Sequence, residues 1–356
     1  MTQSAALWRQ LQQAGLVTGE MPMPNPDDQP PALFLRILLG ASGWLSAVFF
    51  CVFIAAFFVS FLSQASSMWT VGVVLCALSI WISRMAKIPL FVEQFTFACS
   101  LAGQVFVVYG IWESSASGQL AAAALLILEL ILFASMGVRS QRATAVFLAC
   151  AALLWLLGQH AWLYAQPVLS AAAAWLWLNR LRLYKGAAYL QPASIGLTLA
   201  LCATIFIALL ANSTELTWLR LAPSNWHTQV WVAAALSSLV CLFLAWQLIQ
   251  RSVQQPQLRT IALLVSIGIG LISLKMPGLA PLCLLLCIGV ALAHTRLIWL
   301  NLVCLTLYLL LYYYSLNNSL LYKSILLCTS GALLLSLYAL LNRYANTLAA
   351  EGKAHA

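Results

Sequence analysis

One carboxyl group lies in the middle of a long apolar run. Glu129 stands within the stretch LLILELILF, and no other apolar stretch carries a cation at a matching depth. An ionisable group inside a bilayer costs several kcal/mol unless it is paired, solvated or neutralised. Two interpretations follow and both stay open. Glu129 is either a neutral carboxyl that bonds to a Ser, Thr or Gln of a neighbouring segment, or a group that handles protons or cations in a transport path.

A lysine near the C-terminus is the second residue whose position needs a reason. On the topology derived below, Lys323 begins the last apolar span at the outer face, where the positive-inside rule and the helix macrodipole both disfavour a cation. An outer acid, an anionic ligand or a lipid head group would offset that cost. The simpler alternative is an aromatic belt beside a snorkelling lysine. We predict an outer-face contact site from residues of these types: Lys323, Ser324, Tyr312, Tyr313, Tyr314, Lys275, Glu113 and Glu215.

Motifs for catalysis, cofactors or metals are missing from the sequence. There is no HExxH, no GxSxG and no glycine-rich phosphate loop. The ten cysteines all fall inside apolar stretches, at spacings that suit helix packing better than metal ligation. The four histidines are scattered, at His160, His227, His294 and His355. We therefore predict no catalytic residue, no cofactor and no metal site.

The elements that must position these residues are membrane-spanning helices. The chain has 356 residues, is 63% hydrophobic and only 7% charged, and has a mean hydropathy of +0.94. A soluble surface needs far more charge than this. The net charge of +9 comes from cations spread along the chain, so it indicates a membrane protein and not a nucleic-acid-binding one.

The predicted fold is an all-α, polytopic transmembrane bundle without a soluble domain. Residues 1–36 form a cytoplasmic segment with a short amphipathic helix and a Pro/Asp-rich linker, residues 37–343 the bundle, and residues 344–356 a cytoplasmic tail. We predict twelve spans from apolar stretches of bilayer length, while ten or eleven remain open because some are short. The spans are 37–62, 68–83, 90–112, 119–138, 143–159, 163–179, 188–211, 228–249, 259–274, 277–293, 297–314 and 320–341.

The distribution of cations supports twelve spans with both termini inside. With the N-terminus in the cytoplasm, 14 of the 17 Lys and Arg residues fall in inner segments. Only Arg220, Lys275 and Lys323 fall in outer ones. Short cytoplasmic loops of membrane proteins carry such an excess of cations, and removing one span would scramble the alternation.

The C-terminal part of the chain resembles a known family. It contains MPGL at 276–279, YYYSLNNSLLYKS at 312–324 and SGALLL at 330–335. These segments resemble the uncharacterised bacterial membrane family called domain of unknown function 4401. The resemblance implies a multi-pass protein of the bacterial inner membrane. It also implies a partner, namely a membrane-anchored protein with a Gly-Asp-Tyr-x-x-Leu motif, and it implies no catalytic role.

Three functions follow from these observations, from different classes. The first is a non-enzymatic inner-membrane component that contacts its partner near Lys323. The second is a secondary transporter that uses Glu129, with or without coupling to protons, although no internal repeat is visible. The third is a lipid-linked glycan enzyme, for which the connection at 212–227, with Glu215, Arg220 and His227, is a thin basis.

Overall fold

The structure is a bundle of α-helices that follows the hydropathy of the sequence. The computed structural model describes residues 8, 12, 33–57, 65–85, 88–180, 182, 186–211, 226–252, 256–315 and 324. Among these residues there are eleven helices and no strand. The helices are α1 Leu33–Phe57, α2 Ala65–Ser83, α3 Leu90–Ser115, α4 Gly118–Ser135, α5 Arg139–Leu157, α6 Gln159–Asn179, α7 Ala187–Ala211, α8 Trp226–Ser252, α9 Pro256–Lys275, α10 Leu279–Ala291 and α11 Thr295–Ser315.

Each of the first eleven predicted spans coincides with one helix, so the all-helical fold is confirmed for the described residues. The predicted twelfth span, 320–341, lies outside them except for Ser324, and so do nearly all of 1–32 and all of 344–356. Twelve spans and the placement of both termini therefore stay predictions.

Seven helices in the described ranges are long and apolar enough to cross a membrane. They are α3, α4, α5, α7, α8, α9 and α11. Shorter apolar segments lie in α1 at Ile37–Phe50, in α2 at Ser67–Ser83 and in α10 at Leu279–Ala291. Many large apolar side chains on these helices are exposed, including Val105, Leu239 and Trp299. A soluble protein rarely exposes so much apolar surface, so these helices indicate a membrane protein.

The helices form a chain of neighbours. In the first half, α3 packs against α1, α2 and α4, and α4 packs against α5. In the second half, α8 packs against α6, α9 and α10, while α11 packs against α10 and α7. The two halves meet where α5 packs against α7. The largest group of buried apolar side chains lies in the second half, around Trp177, Ile205, Leu285 and Tyr308.

Helices α2 and α3 approach each other closely enough to need glycine at their contact. A β-carbon added at Gly72 would lie 2.5 Å from the carbonyl oxygen of Gly103 and 2.8 Å from the backbone nitrogen of Val107. A β-carbon at Gly103 would lie 2.8 Å from the carbonyl oxygen of Gly72. Small residues commonly allow such backbone contacts between membrane helices. Close packing of this kind matters in lipid, where apolar burial alone does not drive helices together.

Helix ends follow local signals that the hydropathy pattern does not show. Ser117 caps α4, since its side-chain oxygen accepts a hydrogen bond from the backbone N–H of Leu120 at 3.3 Å. Gly158 ends α5 with a φ of +82°. Pro256 begins α9, where its missing N–H costs nothing. These signals explain why several helices start or stop a few residues away from the predicted boundaries.

Candidate functional site

The described helix ends divide into two groups, and most cations lie in one of them. The end of α2 meets the turn between α4 and α5, because Arg84 Nε donates to the carbonyl oxygen of Ser135 at 2.8 Å. The start of α7 joins the same group through Arg142, whose guanidinium donates to the carbonyl oxygens of Met136 at 2.7 Å and of Ala188 at 3.0 Å. The Arg142 guanidinium also lies 4.2 Å from the ring centroid of Tyr189. We call this group of helix ends the arginine end.

The turn between α10 and α11 belongs to the arginine end as well. The ring of His294 lies 5.0 Å from the ring of Trp177, near the end of α6. Its Nδ1 accepts a hydrogen bond from the backbone N–H of Leu297, which caps α11. Burial, with the nearby charges of Arg180 and Arg296, lowers the pKa of His294. The lowered pKa favours the neutral imidazole, whose Nδ1 can accept this hydrogen bond.

The opposite group of helix ends is built around Lys275, and we call it the Lys275 end. Lys275 is the last residue of α9, and its Nζ lies 4.8 Å from the ring centroid of Trp231 at the start of α8. Two tyrosines of α11 reach this corner. Tyr312 donates its hydroxyl to the carbonyl oxygen of Lys275 at 3.2 Å, and Tyr308 donates to that of Pro277 at 2.8 Å. Tyr312 thereby satisfies a carbonyl group that the end of α9 would otherwise leave unpaired, and Tyr308 does the same in the turn that follows.

The described cations are unequally shared between the two ends. Helices α8, α9 and α11 each have one end at Lys275, so their other ends, with Arg251, Arg259 and Arg296, lie at the arginine end. Within the part of the chain that the structure describes, Lys275 is the one cation at its end. The arginine end has eight with described side chains: Arg84, Arg139, Arg142, Arg180, Arg182, Arg251, Arg259 and Arg296.

The predicted outer-face residues are only partly brought together. Lys275 and Tyr312 meet, and Tyr313 and Tyr314 follow on α11 with their rings 5.7 Å apart. Glu113 is exposed near the end of α3, and α3 packs mainly against α1, α2 and α4, so it does not join Lys275. Lys323 and Glu215 lie outside the described residues, and Ser324 is exposed.

Glu129 is completely buried on α4. Its exposed fraction is 0%, and neither carboxylate oxygen has a hydrogen-bond partner among the described residues. The thiol of Cys76 on α2 lies close enough for a charge on the Glu129 carboxylate to act on it. The hydrogen bond that the neutral interpretation expects, to a Ser, Thr or Gln of a neighbouring helix, is thus not formed within the described residues.

Several buried polar side chains on α3 and α5 were not singled out from the sequence. Thr96, Ser100 and Gln104 are each at most 6% exposed and follow each other at intervals of four residues, so they share one face of α3. Gln141, on α5, is 3% exposed. Thr96 Oγ1, Gln104 Oε1 and both side-chain amide atoms of Gln141 have no hydrogen-bond partner in the described structure. The spacing on α3 could have revealed the first three.

The described residues contain a small cavity, and no metal ligand set is found among them. No group of three or more His, Cys, Asp or Glu residues that could hold a metal is found among them. A cavity of about 50 Å³ lies between α8, α9 and α10, lined mainly by apolar residues with Ser238, Cys241 and Cys283. Sites for small molecules are several times larger than this cavity.

Comparison with known proteins places the chain in a family without naming an activity. A family profile, described as a domain of unknown function (DUF4401), matches residues 32–344. No curated protein and no solved structure matches the chain. The matched residues include the helices that carry Glu129 and Lys275, and they extend over Lys323. The chain therefore belongs to the family described as domain of unknown function DUF4401.

Proposed function

We propose that the protein is a non-enzymatic component of a complex in the bacterial inner membrane, and that the Lys275 end is its contact surface. The unequal distribution of cations between the two ends carries this proposal. Under the positive-inside rule the arginine end faces the cytoplasm and the Lys275 end faces outward. The twelve-span topology with both termini inside completes the arrangement and brings Lys323 to the same outer face.

The contact surface is an exposed cation beside one aromatic ring, with tyrosines of α11 close to the same helix end. Trp231 lies beside the Lys275 ammonium group, and Tyr312 ties α11 to the backbone of Lys275. Tyr314 is 75% exposed at the end of α11, only nine residues before Lys323. Exposed Tyr and Trp side chains beside a cation are typical of protein contact surfaces, because each ring combines apolar area with a polar group. An acidic or amphipathic segment of a partner fits such a surface.

The resemblance of residues 276–335 to the family supplies the partner that we propose. It is a protein anchored in the same membrane that carries a Gly-Asp-Tyr-x-x-Leu motif. An acidic residue in that motif is complementary to Lys275 and Lys323. The partner, the outer orientation and the absence of catalysis all belong to the proposal.

Copurification tests the proposed function. We expect the motif-bearing partner to copurify with the wild-type chain from the native host in mild detergent. Lys323→Gln combined with Lys275→Gln should reduce its recovery about tenfold, because both cations of the contact are removed, equivalent to about 1.4 kcal/mol. The matched control is Arg182→Gln with Arg251→Gln, which removes two exposed cations from the arginine end. Equal recovery with both double variants, at equal protein yield, would contradict the proposal.

A second candidate function is a secondary transporter that uses Glu129. The complete burial of this carboxyl without a hydrogen bond in the described residues favours it, since ionisable groups within membrane helices are commonly functional. A carrier also needs two access states and a substrate. A glycan enzyme has no corresponding support, because the side chains of Glu215, Arg220 and His227 lie outside those described.

A further inference from the structure

Glu129 and the polar face of α3 lie at the same depth in the bundle. Ser83 at the end of α2 contacts the sulfur of Met136 after α4, with Ser83 Oγ 3.5 Å from Met136 Sδ. Both helices run toward the arginine end. Cys76 lies seven residues before Ser83, and Glu129 seven before Met136, so both lie about 10 Å inside that end.

Contacts between α2 and α3 place the other polar residues relative to this level. The Cys76 thiol lies 3.7 Å from the carbonyl oxygen of Ser100, so Ser100 shares the depth of Glu129. Ser79 donates to the carbonyl oxygen of Thr96 at 3.2 Å, one turn closer to the arginine end. Gln104 lies one turn farther from the arginine end than Ser100, and its Nε2 donates to Ser100 Oγ at 3.4 Å. We call Thr96, Ser100, Gln104 and Glu129 the polar layer.

Several polar atoms of the polar layer have no hydrogen-bond partner among the described residues. Unpartnered atoms are Thr96 Oγ1, Gln104 Oε1 and both carboxylate oxygens of Glu129, and each residue is at most 6% exposed. Gln141 adds two more unpartnered atoms in the first turn of α5, at the arginine end. Buried polar atoms normally have partners, and small internal waters commonly supply them. Unpartnered polar atoms therefore occur both at the level of Glu129 and at the arginine end.

No fixed countercharge faces Glu129 from the described parts of the helices packed around it. On α2 the nearest titratable group is Cys76, which interacts with it. The charged residues of the neighbouring helices lie toward their ends, at Glu93, Glu113, Arg139 and Arg142, with Arg84 just beyond α2. The remaining titratable side chains of α3 and α5 are Cys99, Tyr109 and Cys150. Helix α7 also touches α4, through the rings of Tyr189 and Phe133, and its titratable side chains are Tyr189 and Cys202. A lone carboxylate at this depth is most simply neutralised by a proton, because a metal cation would need several further oxygen ligands.

We propose that Glu129 is a reversible proton-binding site within the membrane, and that the polar layer hydrates its carboxylate form. The proton is the ligand, and it binds and leaves one carboxylate oxygen of Glu129. Ser100 acts as a positioning residue for the water that solvates the charge. The site does not depend on partner binding at the Lys275 end, and it supplies the chemistry that the second candidate function would need.

Labelling with dicyclohexylcarbodiimide tests this proposal on the full-length protein in detergent. This apolar reagent adds to protonated carboxyl groups, and mass spectrometry of peptides locates the adduct. We expect labelling of Glu129 that falls about tenfold for each pH unit above its midpoint, as the protonated fraction does. Glu129→Gln should abolish the adduct. The exposed Glu113 is the internal control, and a water-soluble carbodiimide should modify it in preference to Glu129.

Two further arms separate a proton site from the other possibilities. Ser100→Ala should move the midpoint of labelling upward by about one pH unit, because a poorly hydrated carboxylate is less stable than its neutral form. The matched control, Ser194→Ala on α7, should leave the midpoint unchanged. Protection by sodium ions at constant pH would overturn the proton in favour of a cation. Labelling that is absent or independent of pH in the wild type would overturn the site, whether or not the partner copurifies.

Discussion

Gly103→Leu should lower the free energy of unfolding in detergent by about 2–3 kcal/mol, because it forces α2 and α3 apart. Even a β-carbon at Gly103 would lie 2.8 Å from the carbonyl oxygen of Gly72 and 2.9 Å from the Cys76 sulfur. Neither the backbone of α2 nor a buried thiol can yield cheaply. The separation would also disturb the contact between the Cys76 thiol and the carbonyl oxygen of Ser100. Unfolding by titration with a denaturing detergent measures the change.

The matched control for Gly103→Leu is Gly268→Leu on α9. A β-carbon at Gly268 has no heavy atom within 4 Å, so the larger side chain enters open space. Both variants change the helix propensity and the hydropathy of an apolar helix in the same way. An equal effect of the two substitutions on the unfolding free energy would mean that the close approach of α2 and α3 is not a stabilising contact.

Glu129→Met should raise the free energy of unfolding by about 1–3 kcal/mol, because it removes a buried carboxyl that has no hydrogen bond in the described structure. Methionine has nearly the same length and shape, so the surrounding helices need little repacking. A wild-type residue that costs stability is usually retained for function. The same substitution should abolish any proton-dependent activity of the protein while leaving it folded.

The comparison for Glu129→Met is an equally buried polar residue whose hydroxyl group has hydrogen-bond partners. Thr198 is 0% exposed, accepts a hydrogen bond from Trp177 Nε1 at 3.1 Å and donates to the carbonyl oxygen of Ser194 at 2.8 Å. Thr198→Val should therefore lower the unfolding free energy by about 1–3 kcal/mol. The two substitutions should have opposite signs. A loss of stability in Glu129→Met comparable to that in Thr198→Val would indicate a hydrogen-bonded structural carboxyl instead.

The sequence predicts the helices well because apolar length is itself the physical requirement for a membrane span. Its errors lie at boundaries where charges join the helices. The predicted span 143–159 begins at Arg139 in the structure, because Arg142 binds carbonyl oxygens of Met136 and Ala188 instead of ending in a loop. The predicted span 228–249 likewise extends to Ser252, which places Arg251 in the last turn of α8.

The site was less predictable than the helices, since it depends on which helices become neighbours. The burial of Glu129 can be inferred from its position in an apolar run. Its proximity to Cys76 depends on the alignment of α2 with α4, which the sequence does not reveal. The same holds for Lys275, whose neighbours Trp231 and Tyr312 come from separate helices. Glu113 and Lys275 were both predicted on the outer side. In the structure, α3, which carries Glu113, packs mainly against α1, α2 and α4.

The central claim is that the arginine end faces the cytoplasm and the Lys275 end faces outward. Topology reporters that are active on only one side of the membrane test it most directly, when fused after residues from both ends. We predict a cytoplasmic signal after Arg84, Arg182, Arg251 and Arg343, and an outer signal after Ala116 and Lys275. Signals on one side from both Arg84 and Ala116, or the inverse pattern throughout, would contradict the account.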